Sequence, residues 1–110
     1  MTSEEPLEFT WIQPKITKIL PCGRAAAGVC LIDDSILICG GYSNKTERLN
    51  DLYSFSLKNL KYHPLDTGKN RPCERSYHIF ANVGKRIYLL GGYDGQSVLE
   101  NVWYLDIGKL

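Results

Sequence analysis

The sequence predicts an all-β fold in which one structural unit occurs twice. The tripeptide Gly-Gly-Tyr is found at residues 40–42 and again at residues 91–93, which is 51 positions later. A repeat period of about 40 to 50 residues is typical of the blades of β-propellers. A run of apolar and β-branched residues precedes each copy, at 35–39 and 86–90. Because no segment shows helical periodicity over a useful length, we expect short strands throughout.

Other residues recur at the same offset. The recurring residues lie in loops and strands: Pro21 with Pro72, Cys22 with Cys73, Arg24 with Arg75, and Ile36 with Ile87. Trp11 aligns with Tyr62 at this offset, so an aromatic residue also precedes each copy of the repeat. This agreement predicts two neighbouring blades with a unit of four strands.

The first copy begins after a lead at residues 1–8, which we expect to be disordered. A short aromatic strand is predicted at 9–13 and a strand of small residues at 25–32. Two aspartates at 33–34 favour a tight reversal, because aspartate side chains bond back to their own backbone. The strand at 35–39 is apolar at nearly every position, which indicates burial on both faces.

The remaining strands follow in the same order. In the first copy, an alternating strand is predicted at 51–57 and a short outer strand at Tyr62. In the second copy, a Gly-Lys turn at 84–85 and an Asp-Gly loop at 94–95 separate three strands. These three strands are predicted at 76–83, 86–90 and 102–107. Repeat one therefore spans about residues 21–65 and repeat two about residues 72–110.

Composition and charge argue against several classes of partner. The chain of 110 residues has a net charge of +1 at pH 7, which provides no electrostatic footprint for nucleic acid or for an anionic membrane. No apolar stretch approaches the roughly 20 residues needed to cross a bilayer. The acidic first residues do not resemble a secretory signal. We expect a cytoplasmic protein, with the nucleus also open, and no cofactor.

The four cysteines are expected to form neither disulfides nor a metal site. Cys30 and Cys39 align with apolar residues of the second copy, so we interpret both as small buried hydrophobic residues. Cys22 and Cys73 recur in equivalent loops of separate blades, where they lie too far apart to pair easily. Since neither histidine recurs and no Cys-x-x-Cys motif is present, we predict reduced thiols and no bound metal.

The motif and its spacing resemble the kelch repeat. A glycine pair ends a buried strand, the segment Asn-Asp-Leu-Tyr-Ser-Phe follows at 50–55, and an aromatic residue stands six positions after Ser56. Kelch repeats form four-stranded blades of a β-propeller, and the resemblance covers about residues 9–107. It implies these structural motif residues: Gly40, Gly41, Tyr53, Tyr62, Gly91, Gly92, Trp103 and Trp11.

The resemblance also implies a role for each motif residue. The glycines lie where the blades converge on the axis and where only residues without side chains fit. Tyr53 and Trp103 take the kelch tyrosine position, and Tyr62 takes the kelch tryptophan position; these residues pack between blades. Trp11 takes the tryptophan position in the outer strand of a preceding unit. Ser56 departs from the pattern, because many kelch repeats carry aspartate there.

The second repeat stops before its own pattern is complete. The aromatic residue that matches Tyr62 falls at position 112, after Leu110, so repeat two lacks its outer strand. Closed propellers use about four to eight blades, and two blades form an incomplete ring. We therefore expect a fragment of a larger propeller, with assembly from copies of this chain or another kelch chain as the alternative.

Candidate binding residues lie in the loop before each inner strand. In kelch proteins this loop lies on the ligand-binding rim, and an arginine there often binds a carboxylate through its forked guanidinium. The alternative is that Arg24 and Arg75 tie neighbouring loops together through backbone carbonyls. Ser76, Tyr77 and His78 replace three alanines of the first copy. This polar trio is interpreted as a partner-binding surface, with packing between blades as the alternative for Tyr77.

The function predicted from these observations is protein–protein interaction through the loops of a rigid propeller. The long loop between Trp11 and Arg24 resembles kelch proteins without a BTB domain, some of which are ubiquitin-ligase substrate receptors. A propeller enzyme with a metal at the axis is the rival from another class, and a subunit that completes a propeller by oligomerisation is the third. His78 has no nucleophile or orienting carboxylate at a recognisable spacing, so we expect no catalysis.

Overall fold

Two antiparallel sheets make up the computed structural model, which describes residues 8–16, 21–43 and 47–108. The first sheet has four strands in the order β1-β2-β3-β4, and the second has three in the order β5-β6-β7. The strands are β1 (Gly28–Ile32), β2 (Ser35–Ser43), β3 (Glu47–Ser56), β4 (Lys61–Pro64), β5 (Ile79–Val83), β6 (Arg86–Leu90) and β7 (Val102–Asp106). The prediction of an all-β fold is confirmed, and the two sheets are called blade one and blade two below.

Each blade is a meander in which sequential strands pair. In blade one, Gly28 lies opposite Cys39 and Ile32 opposite Ser35, so β1 and β2 form a tight hairpin. The register between β2 and β3 shifts at Gly40, where a bulge interrupts the ladder. Tyr62 lies opposite Phe55 in the β3–β4 pair, and their ring centroids are 4.8 Å apart. The outer strand that the sequence predicts at Tyr62 is therefore present.

The turns between the inner strands lie at 33–34 and 84–85, as the sequence predicts, and each contains a left-handed residue. Asp33 has a φ of 52° and Gly84, one repeat later, has a φ of 60°. The left-handed region is accessible to glycine and tolerated by aspartate. Lys85 Nζ lies 2.6 Å from Asp33 Oδ2, so the two turns meet across the blade boundary. Both side chains are largely exposed, and such a pair contributes about 1 kcal/mol at most.

The hydrophobic core lies between the two blades. Five buried residues form it: Cys30, Ile32, Leu37, Leu52 and Ile87. Phe80 and Leu105 of blade two and Cys39 of blade one pack against this cluster. The interpretation of Cys30 and Cys39 as small buried residues is confirmed, and burial raises the pKa of the Cys39 thiol to about 11. All four cysteines are unpaired with one another.

Residues 9–13, predicted to be a strand, pair with none of the strands in the described part of the chain. Phe9 and Trp11 are fully exposed and Ile12 is largely so. A strand needs a partner that accepts its backbone hydrogen bonds, and the expected partner of this segment belongs to a preceding unit. The predicted disordered lead at 1–8 lies outside the described residues except at its last position.

Candidate functional site

The glycine pairs lie where one blade touches the next. Gly40 and Gly41 have φ values of 69° and 93°. A Cβ at Gly40 would lie 2.9 Å from the carbonyl oxygen of Arg75 and 2.9 Å from Cε1 of His78. The Gly41 backbone NH donates to the same Arg75 carbonyl at 2.9 Å. The physical role that the kelch resemblance implies for these glycines is therefore visible at the blade junction.

Arg24 holds the loop of blade one to the strands beneath it. Its guanidinium donates to both carboxylate oxygens of Asp51, at 2.6 and 3.0 Å, and to the Gly40 carbonyl at 3.1 Å. Its Nε donates to the Cys22 carbonyl at 3.2 Å. The hydrogen bond to Asp51 is the largest cause that raises the pKa of Arg24, so the guanidinium stays charged throughout the physiological range.

Arg75 makes the same set of contacts one repeat later. It donates to the Cys73 carbonyl at 3.1 Å, to the Gly91 carbonyl at 3.0 Å and to Asn101 Oδ1 at 2.8 Å. The side chain is buried, with 2% of the residue exposed. These contacts are of the kind that the alternative interpretation describes, because each arginine reaches backbone carbonyls of its own blade. The guanidinium of Arg75 is not presented to a partner in this conformation.

The structure separates the trio Ser76, Tyr77 and His78. Ser76 is fully buried and His78 nearly so. His78 Nε2 lies 2.9 Å from the Cys39 carbonyl of blade one, and its ring packs against Gly28 and Gly40. Desolvation by burial lowers the pKa of His78, the hydrogen bond to Cys39 raises it, and nearby Arg75 lowers it. The net direction is downward, so the neutral imidazole donates Nε2–H to Cys39 and acts as a link between the blades.

Tyr77 alone of the trio is presented to solvent. It is 68% exposed and has a φ of 61°, while Ala26 at the equivalent position has a φ of 58°. Its backbone NH donates to the Ala26 carbonyl across the blade boundary at 2.9 Å. A left-handed residue other than glycine costs about 1 to 2 kcal/mol, and both repeats adopt this conformation at the same place. Tyr77 lies at the exposed edge of the blade junction, which is called the rim below.

A row of stacked side chains continues from Tyr77 along the rim. The ring centroids of Tyr77 and Tyr42 are 6.3 Å apart, and a hydrogen bond with Tyr42 is the largest cause that raises the pKa of Tyr77. The guanidinium carbon of Arg48 lies 5.6 Å from the Tyr42 ring centroid and 5.0 Å from that of Tyr93. Tyr42, Arg48, Tyr77 and Tyr93 are called the tyrosine row below.

Sequence reasoning missed three members of the tyrosine row. Tyr42 and Tyr93 are the third residues of the two Gly-Gly-Tyr motifs, so their recurrence was a usable signal. Arg48 has no such signal, because its equivalent in the second repeat is Val98. Its position depends on the β2–β3 pairing, which places Arg48 opposite Tyr42.

An open depression lies beside the tyrosine row. It is lined by Arg48 and by polar residues of both blades: Glu47, Cys73, Glu74, Asp94, Gly95 and Gln96. Asp94 Oδ1 accepts hydrogen bonds from the backbone NH groups of Gln96 and Ser97, both at 2.8 Å. These bonds lower the pKa of Asp94. Glu47 and Glu74 place two further acidic side chains on the same depression.

Two further classes of site were searched for in the described part of the chain. Within residues 8–16, 21–43 and 47–108, no group of three or more His, Cys, Asp or Glu side chains comes together as metal binding would require. Over the same ranges, the structure contains no helix with the length and apolar character needed to span a membrane.

The fold and the junction define a class of protein: two adjacent propeller blades of the kelch type. Each blade is a meander with a left-handed glycine pair, and an arginine donates to the carbonyl of the first glycine of each pair. This arginine and its acceptors are called the arginine clamp below. A family model described as the KLHDC2/KLHL20/DRC7 Kelch-repeats domain matches residues 5–110. The chain belongs to this family, and the predicted kelch resemblance is confirmed.

Individual relatives are similar over most of this chain. Kelch domain-containing protein 3 of Homo sapiens is 30% identical over 92 residues, which are 84% of this chain and 23% of that protein. Host cell factor 1 of Homo sapiens is 33% identical over 79% of this chain and 4% of its own length. The flagellar outer-arm dynein alpha chain of Chlamydomonas reinhardtii is 26% identical over 99% of this chain and 2% of its own length.

The chain thus spans less than a quarter of the length of each of these relatives. Family membership and the kelch relatives support a protein-interaction module as the general class of function. The family is typically a non-enzymatic interaction domain.

Proposed function

We propose that this chain binds a peptide segment of a partner protein on the rim at the junction of its two blades, with Tyr77 at the centre of the contact. The observation that carries the proposal is the exposed, left-handed Tyr77, whose backbone NH donates to the Ala26 carbonyl of the other blade. Strained residues of this kind cluster at functional sites. Tyrosine is also enriched among the residues that dominate binding energy at protein interfaces.

The surroundings of Tyr77 indicate the chemistry of the partner. The tyrosine row supplies aromatic faces next to a guanidinium, and Glu47, Glu74 and Asp94 supply negative charge in the adjacent depression. A peptide that places an apolar or aromatic side chain on Tyr77 and a basic side chain among the carboxylates satisfies both features. Because ion pairs at an exposed rim are screened by salt, this binding is expected to weaken with ionic strength.

The contact residues predicted from the sequence have two different roles under this proposal. Tyr77 makes the direct contact, while Arg24, Arg75, Ser76 and His78 hold the rim in place through the contacts described above. Two blades are fewer than the about four to eight of a closed propeller. The rim is therefore proposed to be one sector of a larger ring, in the cytoplasm or nucleus, where the four thiols stay reduced.

The experiment is a selection of binders from a displayed peptide library, followed by affinity measurements. Tyr77→Gly removes the ring and suits the left-handed backbone, so folding stability is expected to be kept while affinity falls at least about tenfold. His63→Ala is the matched control, because His63 is an exposed ring on the outer strand β4. Unchanged affinity in the Tyr77→Gly variant would refute the site.

A role as substrate receptor of a ubiquitin ligase is the more specific form of the proposal. It is supported by the resemblance to kelch proteins without a BTB domain. It predicts that a partner captured through the rim becomes ubiquitinated in cells and that Tyr77→Gly abolishes the modification. A partner that binds through Tyr77 but is not ubiquitinated would refute the ligase role and would still agree with the proposed interaction module.

A further inference from the structure

Blade two has an outward sheet face that is equivalent to the buried face of blade one. Residues opposite each other in an antiparallel pair share a face, so the registers assign every strand residue. The face of blade one that receives blade two carries Gly28, Cys30, Ile32, Leu37, Cys39 and Leu52. The equivalent residues of blade two are Ile79, Ala81, Val83, Tyr88, Leu90 and Val102. This second set is called the trailing face.

The trailing face is mostly apolar and exposed, and it also carries Tyr104 and the ion pair between Arg86 and Asp106. Ile79 is 60% exposed, Val83 71% and Val102 61%. The opposite end of the two-blade stack is similar, because the outward face of blade one carries exposed Val29 and Leu31. This face, which also includes Ile36, Ile38, Tyr53 and Phe55, is called the leading face. Contiguous apolar patches of this kind mark interaction surfaces.

The sizes of the side chains indicate what fits on the trailing face. In the observed junction, a Cβ at Gly28 would lie 2.7 Å from His78 Nε2 and 2.5 Å from Phe80 Cβ. A small residue in blade one thus meets large residues in blade two. On the trailing face the position of Gly28 is taken by Ile79, which leaves no room for a histidine and a phenylalanine.

Blade one of this chain carries the complementary small residues. The equivalents of His78 and Phe80 in blade one are Ala27 and Val29, and Val29 lies exposed on the leading face. The pairing of Gly28 with His78 therefore becomes a pairing of Ile79 with Ala27, with similar total volume. Packed interfaces tolerate such volume-conserving exchanges best.

The edge of blade two fits the same partner. In the described part of the chain, β7 pairs with β6 alone, whereas its counterpart β3 also pairs with β4. Residues 9–13 contain the fully exposed Trp11, which aligns with Tyr62 of β4. Trp11 precedes Arg24 by the same number of residues as Tyr62 precedes Arg75. A blade one that docks on the trailing face thus delivers Trp11 to the edge of β7.

We infer that a second copy of this chain docks head to tail, with its leading face on the trailing face of blade two and its residues 9–13 paired with β7. The proposed contact between copies repeats the observed junction one blade further on. Its backbone acceptors are equivalent to those that blade one and blade two already use. Three side-chain bonds of the observed junction are not reproduced, because Glu100, Ala27 and Asp34 stand in place of their donors. These bonds join Asn50 to the Pro72 carbonyl, His78 to the Cys39 carbonyl and Lys85 to Asp33. Head-to-tail contacts of this type close into rings, so two to four copies form a ring of about four to eight blades.

The experiment is sedimentation of the 110-residue chain over a range of concentrations, with one charge placed on each face. The wild-type chain is expected to assemble, and Val29→Arg and Val102→Arg each to abolish growth of the assembly. Leu60→Arg is the control, because Leu60 is an exposed residue in the turn between β3 and β4, outside both faces. Ile79→Arg and Leu31→Arg serve as a second pair, and circular dichroism shows which variants fold.

Mixing the two face variants decides the orientation. Val29→Arg retains an intact trailing face and Val102→Arg an intact leading face, so an equimolar mixture is expected to form a 1:1 dimer with twice the 12.5 kDa mass of one chain. Trp11→Ser is expected to weaken the wild-type assembly. A wild-type chain that stays monomeric would overturn the inference. An assembly that survives Val29→Arg and is lost in Val102→Arg would also overturn it, because that outcome describes a symmetric pair of trailing faces.

Discussion

Gly40 offers a direct measure of how closely the two blades meet. A Cβ at this position would lie 2.9 Å from the Arg75 carbonyl oxygen and 3.1 Å from that of Leu49, and its φ is 69°. Substitution by alanine adds a left-handed residue, at about 1–2 kcal/mol, and overpacking against backbone, at about 1–3 kcal/mol. We expect Gly40→Ala to lower the free energy of unfolding by about 2–5 kcal/mol.

Two other glycines separate these contributions. Gly68 has a φ of 84° and open space around its Cβ position, so Gly68→Ala carries only the backbone contribution of about 1–2 kcal/mol. Gly23 also has open space and lies outside the left-handed region, and Gly23→Ala is expected to change stability by less than about 0.5 kcal/mol. The three variants therefore form a graded series.

Urea unfolding followed by far-ultraviolet circular dichroism measures the series. The expected order of destabilisation is Gly40→Ala, then Gly68→Ala, then Gly23→Ala, with similar slopes against urea for all four proteins. If Gly40→Ala were no more destabilising than Gly68→Ala, blade two would not be in contact with Gly40. The reasoning about the junction would then fail.

Three further outcomes follow from the contacts. Burial lowers the pKa of His78 below its ordinary 6.5, so the unfolded chain binds more protons than the folded chain. The free energy of unfolding is therefore expected to fall as pH drops below about 6.5, and to fall less in His78→Gln. An unchanged dependence on pH in that variant would contradict the assignment of His78 as a buried neutral group. Arg75→Met leaves three acceptors of blade two without their donor and is expected to lower the free energy of unfolding in urea by roughly 3 kcal/mol. Asp51→Asn is expected to lower it by less than about 1 kcal/mol, since Asn101 fills this place in repeat two. Equal losses of stability in the two variants would refute the arginine clamp. A thiol-titrating reagent is expected to label two cysteines in the folded protein and four in urea, and labelling of the buried pair before unfolding would contradict the core assignment. The exposed pair is Cys22 and Cys73, and the buried pair is Cys30 in the core and the partly buried Cys39 packed against it.

The repeat explains why most of the fold could be predicted from the sequence. Registering the two copies located the seven strands that the structure forms, because apolar runs and turn residues recur in the same order. The ends of β2 and β3 were missed. The sequence suggests a polar loop from residue 43, whereas β2 continues through Ser43 and β3 begins at Glu47. The glycine bulge allows these two strands to pair beyond it.

The candidate site was less accessible to sequence reasoning. Ser76, Tyr77 and His78 are adjacent in sequence, and alternation alone does not show that only Tyr77 faces solvent. The left-handed backbone at Tyr77, with a φ of 61°, redirects the chain between the two buried residues. Ala26 at the same place of the first repeat has a φ of 58°, so this backbone conformation belongs to the folded repeat and is not visible in the residue types alone. The position of Arg48 between two tyrosines is likewise set by strand pairing.

The central claim is that the two repeats pack as adjacent blades through the His78 junction, which fixes the rim that carries Tyr77. Nuclear Overhauser contacts of the His78 ring test it most directly. The account predicts cross-peaks from the ring to the α-protons of Gly28 and Gly40, since His78 atoms lie 2.7–2.9 Å from the Cβ positions of these glycines. It also predicts a proton on Nε2, which donates to the Cys39 carbonyl. Absence of both cross-peaks in the folded protein, with a solvent-exchanging ring, would contradict the account.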